Sequence, residues 1–292
     1  NNMNLNHDIE YLNIQDEGGT NQIINKIYNK VIDELPKINS KERTKSELSE
    51  LTLALQCGGS DSYSGITANP ALGFASDLLV QYGGSTILSE TPEIYGAEHL
   101  LIDRALKESD IKKLINQIKW WKNYTQINGG SLDNNPSPGN KKGGLTTILE
   151  KSLGAVAKSG NSTMINVLDY AEKISEKGFH FMDSPGYDPV SVTGQVASGS
   201  NLICFTTGRG SCFGFKPTPS LKISSNTNMY NNLEEDMDIN AGTIMDGIHS
   251  IEEIGTKIFN ELIEVASGKK TKSEINEYGD DEFNPWVIGA TM

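Results

Sequence analysis

The chain has 292 residues, with 38 acidic side chains against 25 basic ones and a formal net charge of −13. That length supports a full buried core in one or two domains, and the acidic balance disfavours nucleic acid or an anionic membrane as a partner. Apolar runs fall well short of a membrane span, and three cysteines without paired metal-ligand spacing favour a reducing, cytoplasmic setting.

In chain order, Ile9–Ile14 reads as a strand ending in Asp16-Glu17-Gly18-Gly19-Thr20, and Asn21–Leu35 reads as a helix. An opening strand without a partner, in a chain beginning Asn1-Asn2-Met3, sets an expectation about residues 1–50. They would be the end of a preceding α/β region, with the polar stretch Pro36–Ser49 as linker, and 51–292 would be the main domain. Apolar Leu51–Leu55 then predicts a strand running into Cys57-Gly58-Gly59-Ser60-Asp61-Ser62-Tyr63-Ser64-Gly65-Ile66-Thr67-Ala68-Asn69-Pro70, followed by a helix over Ala71–Tyr82. A strand, a small polar turn and a helix form the arrangement by which α/β proteins hold small anions and polyols.

Ser85–Leu88 predicts a short strand, Tyr95–Ala105 a helix, and Asp110–Asn128 a longer helix with Trp120, Trp121 and Tyr124 on its faces. Ser131–Gly144 reads as a loop and Leu145–Ala157 as a helix. Strands are expected at Met164–Val167, Gly178–Met182, Leu202–Thr206 and Leu221–Ile223, with a helix from Val190 to Ala197. Ile251–Ser267 carries an apolar stripe suited to packing on a sheet, and the aromatic end Phe283-Asn284-Pro285-Trp286-Val287-Ile288 is expected to dock. The alternation gives an α/β fold: a mixed or parallel sheet flanked by helices, with polar loops at the strand ends.

Several loops carry side chains suited to chemistry. Glu90, Glu93, Glu98 and His99 follow a short strand, where a carboxylate and an imidazole could bind a divalent metal or transfer a proton; helix capping beside a surface histidine is the alternative. Adjacent helical positions point about 100° apart, so Glu98 and His99 cannot face one point unaided. Asn140-Lys141-Lys142-Gly143-Gly144 before a helix suits a carboxylate, or is a solvated loop. Arg209, amid small residues after an apolar strand, offers a two-point clamp or a structural ion pair. Asp236, Asp238 and Asn240 lack the spacing of an EF-hand and read first as a helix cap. No GxGxxG turn with an acidic residue about 20 positions on follows the opening strands, which ranks a dinucleotide enzyme low.

Read in order, the phrases CGGSDSYSGITANPALG, SETPEIYGAEHLL, NNPSPGNKKGGLTTILEKSLGAVAKSG and PGYDPVSVTGQVASGSNLICFTTGRGS resemble the carboxyl-terminal part of the galactarate dehydratase/altronate dehydratase family. The likeness covers nearly the whole chain, and Ser89–Leu101 looks more like the altronate branch. Family members look longer at the amino terminus, so the resemblance implies that this chain is a fragment. It further implies a hydro-lyase that converts D-altronate to 2-dehydro-3-deoxy-D-gluconate with Fe2+ or Mn2+. The rivals are a dehydratase for another sugar acid such as galactarate, or a non-catalytic scaffold domain. On this reading the partner is a small sugar acid, with homodimer assembly left open. His99 would be base or metal ligand beside Glu98 or Glu93, with Glu93 and His99 as the metal pair. Lys141, Lys142 and Arg209 would hold the carboxylate, with Lys141 also in the catalytic group, and Ser60, Asp61, Ser64 and Asn69 would meet hydroxyls.

Overall fold

A computed structural model describes residues 10–132 and 136–289. The chain divides into two compact units, Asn1–Lys45 and Ser46–Met292. The first holds one amphipathic helix, α1 (Thr20–Asn39). The strand expected at Ile9–Ile14 is not formed: residue 9 lies outside the described residues, residues 10–13 have no regular structure, and a turn begins at 14. A sequence can present strand-like residues there, but a strand needs a neighbour to take its backbone hydrogen bonds.

The second unit is built on β1 (Thr52–Cys57), α2 (Ala68–Gln81), β2 (Ser85–Ser89), α3 (His99–Ile102), α4 (Glu108–Ile127), α5 (Pro138–Lys142) and α6 (Ile148–Ala157). Then follow β3 (Met164–Leu168), β4 (Phe179–Met182), α7 (Asp188–Ser198), β5 (Leu202–Thr207), β6 (Ser220–Ser224), α8 (Thr227–Asn232), β7 (Ile239–Asn240), α9 (Ile251–Ala266) and α10 (Lys272–Ile275). The seven strands form one sheet in the order β3-β4-β2-β1-β5-β6-β7, with every pairing parallel. The expectation of an α/β fold holds, in its parallel form.

A parallel sheet needs both faces covered, and alternation along β1 shows how. Leu53 and Leu55 face a core shared with Leu72 and Leu79 of α2 and Ile254, Ile258 and Leu262 of α9. Ala54 faces the other way, toward Val192 of α7, Ile203, Phe205 and Phe213. The stripe predicted on the last long helix therefore packs as expected, with Ser250 and Glu253 closing a capping box at its start.

Several boundaries differ from the sequence reading: α1 runs through Pro36 to Asn39, into the stretch expected as linker, and the helix expected from Leu145 starts at Ile148, where Thr147 caps it. α2 begins before Pro70, because proline is tolerated in a first helical turn. The helix expected over Tyr95–Ala105 shrinks to α3, preceded by a 3₁₀ turn at Thr91–Ile94, because Gly96 takes a left-handed φ of 91° between them. The loop expected over Ser131–Gly144 contains α5, where Ser137 and Asn140 cap one another; Asn134 and Asn135 lie outside the described residues. Of the end expected to dock, Trp286 does so, stacked on Trp121 with ring centroids 5.4 Å apart, whereas Phe283, Val287 and Ile288 stay exposed. Among the described residues no helix is long and apolar enough to cross a membrane.

Candidate active site

Beyond β1 the connection leads to β2 on one side, while β5 lies on the other. β1 and β5 stay paired to their carboxyl ends, but the connections that leave them run to opposite sides, the switch point at which open parallel sheets leave a crevice. A cleft of about 490 Å³ occupies it, lined among others by Cys57, Ser60, Glu93, Lys151, Asp188 and Arg209. Two glycines permit its shape. A Cβ on Gly58 would lie 2.4 Å from Asp188 Oδ2, and one on Gly139 would lie 2.0 Å from Arg209 Nη1. The Asp188 carboxylate and the Arg209 guanidinium therefore rest against bare backbone.

Behind the cleft lies a buried ionisable cluster. Lys158 Nζ donates to Cys57 Sγ at 2.9 Å, and Cys57 Sγ is 3.9 Å from Glu93 Oε2. Lys151 is paired with Glu93. Glu90 Oε1 accepts from Gln56 Nε2 at 3.2 Å, whereas Glu90 Oε2 is buried without a hydrogen-bond partner. Glu90 also holds a left-handed backbone, φ 76°, fixed by its amide donating to Ser184 Oγ.

Burial dominates the electrostatics of this cluster. It pushes the Glu90 carboxyl well above the usual carboxylate range, helped by Glu93 and Asp188. Burial also raises the Cys57 thiol, outweighing Lys158. Burial and the charge of Glu93 push Asp188 up to about 7. For Lys151 burial acts the other way, but attraction from Glu93 and Cys57 reverses it and holds the ammonium above its ordinary range. The same contest, with Cys57 and Glu90 leading, raises Lys158.

The structure brings some of the sequence-selected residues together. Glu93, Ser60 and Arg209 line the cleft. Ser60, Asp61, Ser64 and Asn69 line a neighbouring cavity of about 250 Å³ that shares Cys57 and Lys151 with it. Within that group Asp61 is saturated: Oδ1 accepts from Ser64 N, Ser64 Oγ and Ser225 Oγ, and Oδ2 from Asn226 Nδ2. Asn69 is likewise occupied, by Gly154 O and Thr206 Oγ1. His99, Lys141 and Lys142 are exposed and do not line the cleft. Glu98 accepts from the Gly96 amide instead of facing His99's surroundings. Asp238 accepts from the Lys222 and Lys272 amides and Asp236 from Tyr278 Oη, so this motif ties loops together.

Cys57 and Glu90, which stand in sequence motifs already singled out, join the cluster, and Lys151, Lys158 and Asp188 join it without such a signal. Lys151 and Lys158 are seven residues apart, two helical turns on one face, which is the one local hint that they act together.

Residues 48–291 match the family model described as D-galactarate/Altronate dehydratase, C-terminal. Over 236 residues the chain is 45% identical to the galactarate dehydratase (L-threo-forming) of Escherichia coli strain K12, covering 81% of this chain and 45% of that protein. It is 41% identical over 253 residues to the altronate dehydratase of Bacillus subtilis strain 168, covering 86% of this chain and 50% of that protein. It is 38% identical over 242 residues to the altronate dehydratase of Escherichia coli strain K12, covering 82% and 48% respectively. The chain thus spans about half the length of the curated relatives it matches.

Proposed function

The chain belongs to the D-galactarate/altronate dehydratase family, and from that premise we propose that its cleft removes water from a sugar acid. The observation that carries the reading is the meeting of Arg209, Lys151, Glu93 and Asp188 in one cleft at the carboxyl ends of the strands. A proton beside a carboxylate is very weakly acidic, so its removal needs a clamp on the carboxylate and fixed positive charge beside the enediolate. Arg209 supplies the forked clamp. Lys151, kept protonated by Glu93, supplies the fixed charge.

Asp188 is the base. Its carboxylate has no hydrogen-bonding partner among the described residues, and it faces the cleft. Asp188 takes the C2 proton and returns it to the departing C3 hydroxyl, so the C3–O bond breaks to give water and an enol that becomes the 2-keto-3-deoxy acid. Ser60 and the amides of the glycine turn meet the remaining hydroxyls.

The resemblance also implies a divalent ion, Fe2+ or Mn2+, and the donors fit one: Cys57, Glu90 and Glu93 are buried with their ligand atoms within 4.8 Å of one another. Bound there, such an ion would supply Lewis-acid charge to the acid's oxygens.

For the substrate we propose D-altronate, giving 2-dehydro-3-deoxy-D-gluconate. Among the described residues lining the cleft the cations are Lys151 and Arg209. Lys151 is engaged by Glu93, which leaves Arg209 for one carboxylate, as an aldonate requires. Galactarate, with two carboxylates, is the second reading, favoured by the 45% identity to a galactarate dehydratase. Turnover of the full-length protein on a panel of aldonates and aldarates decides between them. Product from altronate in clear preference to galactarate is expected. Faster turnover of galactarate overturns the substrate, and no 2-keto-3-deoxy acid from any panel member supports the scaffold reading instead.

A further inference from the structure

We infer that residues 283–289 form a strap that positions two carboxylates of the cleft, Asp188 and Glu93, with Trp286 as the positioning residue at its centre. Residues 282–287 have no regular secondary structure, and a terminal segment of that kind is ordered only where something ties it down. Phe283, Val287 and Ile288 are exposed. The ties lie elsewhere: in two backbone amides, in the Trp286 indole, and in the pairing of Gly289 with Tyr124 of α4.

The two amides reach the helix that carries Asp188. Asn284 N donates to Thr193 Oγ1 at 2.9 Å, and Thr193 Oγ1 donates in turn to Pro189 O at 2.7 Å. Trp286 N donates to Tyr170 Oη at 3.2 Å, and Tyr170 Oη donates to Val190 O at 2.8 Å. Both hydroxyls therefore tie the strap to the first turn of α7, at the two residues that follow Asp188. That turn sets where the Asp188 carboxylate stands in the cleft.

The indole reaches the other wall. Trp286 stacks on Trp121 with ring planes 10° apart and meets Trp120 and Tyr170 edge-on at 5.7 and 5.6 Å. Trp121 Nε1 donates to Asp183 Oδ1 at 2.7 Å, and the same oxygen accepts from Thr91 Oγ1. Thr91 opens the 3₁₀ turn whose third residue is Glu93, the partner of Lys151. The stack fixes Trp121, and Trp121 shares an acceptor with Thr91, so slack at Trp286 becomes slack at this turn. Trp286 Nε1 is itself buried without a hydrogen-bond partner, so the ring acts through its face and area and not through its donor.

The effect on rate rests on the dehydratase reading; the positioning does not, and amide hydrogen exchange measures it without substrate. In the full-length protein, Trp286→Ala should speed exchange at 91–94 and 190–193 by at least about tenfold, with β5 and β6 unchanged. On whichever of altronate and galactarate the parent turns over faster, kcat should fall by about 10–10²-fold with KM within about threefold, because the reacting groups are misplaced while the Arg209 clamp is untouched. Trp286→Phe keeps the stack and removes only an unsatisfied donor, so local protection should return and kcat should stay within about threefold of the parent. Val287→Ala should change neither reading.

Exchange that is unchanged in Trp286→Ala, or that rises uniformly across the sheet, would overturn the inference. So would an intact kcat in that variant, or a Phe variant as impaired as the Ala one. Should Trp286→Ala fail to fold by circular dichroism, Thr193→Val combined with Tyr170→Phe cuts both links to α7, and unchanged exchange at 190–193 there overturns it. A parent without turnover would sink the dehydratase reading and leave exchange to decide the strap. Turnover with exchange unmoved would sink only the strap.

Discussion

Two buried carboxylates of this molecule, Asp61 and Glu90, live in opposite surroundings. Asp61 accepts four hydrogen bonds, three on Oδ1 and one on Oδ2, from neutral donors on its own turn and on Ser225 and Asn226. Glu90 accepts one, from Gln56, and leaves its second oxygen unmet beside Glu93, Cys57 and two lysines. A saturated carboxylate has nothing left to give a ligand; its work is to fasten the β1 turn to the loop after β6. An unsatisfied one in a charged cluster has capacity left over. Burial alone does not separate structural from functional acids, whereas the count and charge of their partners does.

The comparison is broken most sharply at Lys151. Lys151→Met should lower turnover by about 10²–10³-fold, the usual loss when a group facing developing charge is removed. It should also destabilise by about 3–5 kcal/mol, because Glu93 is left buried without its cation. Adding Glu93→Gln should restore most of the melting temperature and none of the rate; recovery of rate would move the fixed charge elsewhere.

Asp61→Ala should behave in the opposite sense. Stranding Ser64, Ser225 and Asn226 as buried donors should cost about 2–4 kcal/mol in denaturant unfolding, with kcat altered much less than by Lys151→Met at temperatures where the variant is folded. A kcat loss as large as that of Lys151→Met would make Asp61 part of the reacting site.

Arg209 is exposed, so its replacement tests binding without a folding penalty. Arg209→Met should raise KM by about tenfold or more, the worth of one charge-assisted clamp of about 1.5–3 kcal/mol, with the melting temperature unchanged. An unaltered KM would free Arg209 from the substrate.

The smallest effect concerns His180, buried in β4 with Nδ1 unpartnered and its imidazole pushed down by burial. Above the unfolded histidine value of about 6.5 both states are neutral and its contribution to stability is complete. As pH falls below that value the unfolded chain takes up the proton first, and stability is lost. His180→Asn should therefore flatten the acid side of the stability–pH profile below about 6.5 relative to the parent; parallel profiles would contradict this.

The sheet and its central turn were legible because each depends on local pattern: buried strands read as apolar runs, and the β1 turn as small polar residues. Arg209 and Glu93 were visible for the same reason, each following a strand. Lys151 and Lys158 were not, since on sequence they are ordinary lysines of an amphipathic helix and their partners lie on β1 and after β2. His99 drew attention through its neighbours in sequence, but Gly96 separates the short helix α3, which His99 opens, from the turn that carries Glu93, and the side chain is exposed. Pairings set by tertiary folding leave little trace along the chain.

The backbone at Glu90 has one more consequence. Its φ of 76° is a conformation that glycine adopts freely and other residues hold at a cost of about 1–3 kcal/mol. Glycine at position 90 would relax that strain and delete the carboxyl group that is disfavoured by burial. A selection for heat tolerance alone would therefore drift toward Glu90→Gly, and would arrive at a hardier protein with an empty socket.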